Sequence, residues 1–196
     1  MKNCVVILLA LILVPAFAGP LPQGDRDFAL SHLHASRKLF LDAVSTLTEA
    51  QWKFKSAPDR WSIAECAEHI ATSEDFLFDV ITNKVLKSPA SPPQTPPSRD
   101  QDEAVLRMVA DRGKKFNAPE GLRPSGQWPS REALVQVFKQ RRDRSIAFVR
   151  ETQEDLRAHS QASRDAYQWL LFLSGHTERH IAQIAEVKAD RNFPKQ

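Results

Sequence analysis

Residues 166–190 read AYQWLLFLSGHTERHIAQIAEVKAD. Trp169, Leu173, His176, His180, Ile184 and Val187 recur through this stretch at three- and four-residue spacing. That spacing puts them on one stripe of a long α-helix. An inward stripe normally holds apolar side chains, yet this one has two imidazoles one turn apart in its middle. Buried ring nitrogens need partners, and a single divalent ion can serve both rings. The segment therefore predicts a buried helix and a candidate pair of metal ligands together.

Three further stretches carry the same periodicity. Residues 25–47 place Leu30, Leu33, Phe40, Val44 and Leu47 on one face. Residues 62–87 open with Ser62 and Glu65, an S-x-x-E capping box, and continue through Ile70, Leu77 and Ile81. A third stretch starts at Ser130 after Pro129 and carries Leu134, Phe138, Ile146 and Val149. Each would form a helix ~35–39 Å long, and no period-2 strand pattern competes. The predicted fold class is all-α, a four-helix bundle spanning residues 25–190.

The connection over residues 88–129 is far longer than adjacent antiparallel helices need. Its front part, residues 89–97, holds five prolines and cannot be helical. A short helix is expected near residues 100–112. The length implies a crossover that returns the chain to the starting end, so that the second and third long helices run parallel.

The N-terminus is different in kind. Lys2, an aliphatic run from Val5 to Val14, Pro15 and then Ala16-Phe17-Ala18 have the layout of a secretory signal peptide over residues 1–18. The expectation is export to a periplasmic or extracellular compartment after cleavage near Ala18, with a retained anchor as the alternative. Cys66 is then the only cysteine left, so no internal disulfide can form. No later apolar run approaches a membrane span. A net charge of +3, spread along the chain, excludes an electrostatic footprint for nucleic acid. Oligomeric state is open, a homodimer included.

His69 shares a predicted helix face with Cys66, Ser73, Phe76 and Val80, and is a third candidate ligand. Cys66 is an alternative soft ligand, or an inert buried thiol. Glu65, one turn before His69, either orients it or serves only the cap. Arg141 and Arg142 interrupt the apolar pattern of the third long helix. One of them could reach a pocket and bind an anionic substrate, or extend into solvent. His32, His34 and His159 lie off the stripes and read as solvated. Glu178 sits ~200° around the helix from His176, so the segment is not a zincin motif.

Trp61-Ser62-Ile63-Ala64-Glu65 leading to His69, followed by His176-x-x-Arg179-His180-x-x-Gln183-Ile184, resembles the DinB/YfiT-like superfamily. Tyr167-Gln168-Trp169-Leu170-Leu171-Phe172 strengthens the likeness, which runs from about Phe28 to Lys188. The resemblance implies an up-down-down-up bundle and a three-histidine site for zinc, nickel or another divalent ion, here His69, His176 and His180. It also implies chemistry on small molecules, in some members with low-molecular-weight thiols in the cytosol, from which a secretion signal departs. Two functions follow as expectations: a metal-dependent transferase or hydrolase acting on a small molecule, or a non-catalytic exported protein with a structural metal or a partner-binding bundle. No catalytic residue beyond the metal site is legible.

Overall fold

The computed structural model describes residues 19–91, 93 and 95–195. The expected signal peptide lies outside them. Four long helices form the bundle: α1 (Gln23–Val44), α3 (Ile63–Asp79), α5 (Arg131–Glu151) and α6 (Ala166–Lys188). A short α2 (Glu49–Lys53) follows α1, and α4 (Arg99–Ala110) lies within the long connection. A two-residue hairpin, β1 (Ser160–Gln161) and β2 (Arg164–Asp165), leads into α6.

Helix starts follow local capping chemistry. Ser62 accepts from the Glu65 amide while Glu65 accepts from the Ser62 amide. Asp165 and Gln168 do the same for α6, and Ser98 and Gln101 for α4. Such a cap satisfies amides that have no partner within the helix. At its far end α3 widens into a π-helical turn, Val80–Val85, before the proline-rich segment.

Cross-helix pairs give the topology. The Tyr167 hydroxyl meets the Asp25 carbonyl near the starts of α6 and α1, and Lys188 meets the Ala43 carbonyl near their ends. Those two helices are parallel. Arg26 near the start of α1 reaches the Val149 carbonyl near the end of α5, so α1 and α5 are antiparallel. Arg141 bonds the Ala71 carbonyl and Phe78 packs on Phe148, so α3 and α5 are parallel. This is the up-down-down-up order, with the connection acting as the crossover.

The core has two apolar halves. Leu33, Leu77, Ile81, Ile146 and Leu171 anchor one, and Phe40, Ile63, Ile70, Phe138 and Ile184 the other. Between them lies a polar layer of Ser36, Glu74, Arg142, Ser174 and Thr177, all buried. Arg142 is 0% exposed and bonds both Glu74 oxygens, the Leu33 carbonyl, Ser36 and Thr177. Those bonds occupy all five of its N–H donors.

The crossover helix α4 packs on α6 at Gly175. A Cβ there would lie 3.3 Å from the Val109 Cβ and 3.4 Å from the Leu106 carbonyl oxygen. An added Cβ would need α4 to give by a few tenths of an ångström. A buried ion pair from Arg157 to Asp102 on α4, extended to Asp165 and Asp25, fixes the other end of that helix. The crossover is thus pinned against the face of α6 next to His176.

Candidate metal centre

His69 projects from α3, and His176 and His180 from successive turns of α6, toward one point. His69 and His180 are buried and His176 is partly so. Their ring centroids lie 4.5–5.0 Å apart, and one ring nitrogen from each lies within 4.8 Å of the others. The Nε2 atoms of His69 and His176 are 3.2 Å apart. Two ligands at ~2.0–2.1 Å from a tetrahedral ion sit about 3.3–3.4 Å from each other, so the donor set fits one divalent metal.

The opposite ring nitrogens are held. His69 Nδ1–H donates to the Leu122 carbonyl at 2.7 Å, and His180 Nδ1–H donates to Gln183 Oε1 at 2.9 Å. A carbonyl oxygen can only accept, so each bond puts the proton on Nδ1 and leaves an Nε2 lone pair facing the cluster. The Trp61 ring lies 5.0 Å from His69 and 6.1 Å from His180, and Phe172 stacks 6.3 Å from His176. These rings supply an apolar wall.

A family model for the DinB superfamily matches residues 32–184, a span that contains the whole constellation. The chain belongs to the DinB superfamily. It is 27% identical over 149 residues to the uncharacterized protein YuaE of Bacillus subtilis (strain 168), covering 72% of this chain and 86% of that protein. Its fold matches that of YfiT from Bacillus subtilis with a TM-score of 0.53 and 14% identity, over 89% of this chain and 91% of that one. YfiT is described as a probable metal-dependent hydrolase with an unusual four-helix bundle topology.

In this DinB protein burial favours the neutral form of all three imidazoles. Burial depresses His69 against an opposing push from the Leu122 carbonyl. Burial, then the neighbouring His180 and His69, hold His176 well below the usual histidine range. Burial and His69 bring His180 down to about 3. The folded state therefore binds fewer protons than the unfolded state below about pH 6.5. Stability from this cluster is complete above that pH and is lost as the pH falls toward the folded values. Thermal melts of metal-free protein should show the melting temperature falling by several degrees between pH 7.5 and 5, above the carboxylate range. A flat or rising trend across that window would refute the burial argument.

Several other sequence expectations meet a different geometry. Glu65 does not reach the histidines: one oxygen accepts from the Ser62 amide at 2.8 Å and the other pairs with Lys55 at 2.7 Å. Arg142 is no substrate contact, because every donor it has is used inside the core. Arg141 donates to the Ala71 carbonyl at 2.7 Å and lines a surface groove with Leu122 and Phe76. Phe76 itself is 42% exposed and does not share the inward face of His69. His34 is exposed, but His159 is anchored to the Ser88 carbonyl at 2.8 Å and His32 packs edge-on against Phe28. Trp61 and Gln183, both part of the family pattern, lie against the histidines, whereas Leu122, on the loop before α5, was not singled out from the sequence.

Cys66 is fully buried in the apolar half of the core and does not join the histidine cluster. Burial, only partly opposed by Arg112, pushes its thiol up to about 12. The thiolate is the reactive species, so iodoacetamide at pH 8 should leave Cys66 of the native protein unmodified for hours. In denaturant Cys66 should be modified rapidly. Rapid native labelling followed by mass spectrometry would show that this part of the core opens.

Proposed function

We propose that this DinB protein binds one divalent metal ion through His69, His176 and His180, with zinc or nickel as the leading candidates. On that reading it is a metal-dependent hydrolase or transferase acting on a small molecule. The observation that carries it is a cluster of three neutral imidazoles joined, among the described residues, by no carboxylate or thiol. Three protein ligands are the count of a catalytic site, whereas structural zinc sites are closed by four. A bound ion would supply Lewis-acid activation to a group on the substrate or to water.

The surrounding residues set the conditions for that chemistry. Leu122 and Gln183 fix two of the ligand tautomers. Trp61 and Phe172 exclude water from one side and offer apolar contact to a ligand. Burial keeps the ring nitrogens available well below neutral pH. The likeness to YfiT, a probable metal-dependent hydrolase, supports a hydrolase, and the N-terminal sequence supports export with cleavage near Ala18.

Cobalt substitution tests the open position. The visible spectrum of the cobalt-loaded protein should shift on addition of azide or a small thiol. A spectrum indifferent to every added ligand would mean a closed, structural site and would overturn the enzymatic reading.

A further inference from the structure

Glu68 precedes His69 on α3 and is only 6% exposed. Its carboxylate is enclosed by the loop before α5. It accepts from the Ser125 amide at 2.7 Å, the Ser125 hydroxyl at 3.1 Å, the Gly126 amide at 2.9 Å and the Gln127 amide at 3.4 Å. Successive backbone amides curled around an anion form a nest. Gly126 has φ +74°, the left-handed conformation that lets its amide join the others. One turn further along α3, Thr72 Oγ1 accepts from Gln127 Nε2 at 3.3 Å.

The same loop carries Leu122, whose carbonyl accepts the His69 Nδ1 proton. Glu68, His69 and Thr72 thus all grip one segment from a single stretch of α3. Apart from the short turn Glu120–Leu122, that segment has no regular structure of its own over residues 111–130. A buried carboxylate without donors would be costly. Here its demand for donors is what fixes the register of the loop.

We propose that Glu68 is a positioning residue for the metal site, holding the 125–127 nest so that the Leu122 carbonyl stays on His69 Nδ1. The inference rests on the metal-binding reading above for its consequence, but not for its geometry. Without the Leu122 carbonyl the His69 ring loses its fixed tautomer and orientation. Outer partners of this kind typically change metal affinity by about 10–100-fold, and Glu68 acts one bond further out, so about tenfold is expected.

The test compares Glu68→Gln, Gly126→Ala and Glu65→Gln with the parent, in two readouts. One is zinc affinity by chelator competition. The other is the His69 Nδ1–H resonance of the metal-free protein by NMR. Glu68→Gln turns an amide NH2 toward the backbone donors, so it should weaken zinc binding about tenfold and remove or broaden the resonance. Gly126→Ala strains the nest without a clash, since nothing lies within 4 Å of the added Cβ, and should shift both readouts part of the way. It also keeps the claim testable if Glu68→Gln does not fold. Glu65→Gln makes the same carboxylate-to-amide change on the same helix but keeps the cap, since glutamine fills that position of the box at α4 and α6. It loses only the Lys55 ion pair and should leave both readouts unchanged. Parent-like affinity and resonance in both loop-nest variants would overturn the proposal. If the parent takes up no zinc, the metal reading fails separately. The metal-free resonance then decides the positioning role: loss in Glu68→Gln supports it and survival refutes it.

Discussion

Glu74→Ala is expected to destabilise the bundle by about 3–5 kcal/mol, the usual result of leaving one buried charge without its partner. For a chain of this size that corresponds to a fall in melting temperature of about 6–20 °C. Arg142 would be the stranded group: it is fully buried and both of its bonds to carboxylate oxygens end on Glu74. The polar layer separates two apolar halves, so water cannot reach the exposed donors without opening the core. Replacing both partners with apolar residues of similar volume, as in Glu74→Leu with Arg142→Met, should recover most of the loss, because no charge then remains unpaired. Thermal or urea unfolding of the parent and the two variants makes the comparison. A single-variant loss below ~1 kcal/mol would mean that solvent or another group compensates Arg142.

The second large effect concerns the histidines. His176→Ala and His180→Ala should each abolish stoichiometric metal binding, and His69→Ala should weaken it severely. Among the described residues no other histidine joins the cluster, so no spare ligand can substitute. Changes at His32, His34 and His159 should leave metal content intact. A ligand bound only by the native state adds RT ln(1 + [L]/Kd), ~4 kcal/mol at a thousandfold excess. Metal should therefore raise the melting temperature of the parent by about 8–16 °C and do little for the His176 variant. Thermal shift with and without zinc makes the comparison directly.

Much of this architecture was legible because it rests on local or periodic signals. The stripe through Leu173, His176, His180 and Ile184 pointed to α6 and to the pair of imidazoles that the fold brings beside His69. Ser62 and Glu65 marked the start of α3, and the length of the proline-rich connection specified the crossover. The rest depends on contacts distant in sequence. Arg142 looks like any helical arginine until Glu74, Ser36 and Thr177 arrive from three other helices. Glu68 looks like a solvent-facing carboxylate until a loop more than fifty residues later wraps it. The hairpin before α6 turns through Ala162 and Ser163, both with positive φ, and neither residue type advertises such a turn. Thr48 and Gln51 cap the short α2 with the same box as Ser62 and Glu65, but five residues are too few for apolar periodicity to show.

The proposed function turns on whether His69, His176 and His180 hold a metal. The most direct measurement is the metal content per chain of protein purified without an affinity histidine tag, exposed to zinc or nickel and then dialysed, alongside His176→Ala and His180→Ala. The expected result is one divalent ion per parent chain and none retained by either variant. Full metal content in both variants, or none in the parent, would contradict the three-histidine site.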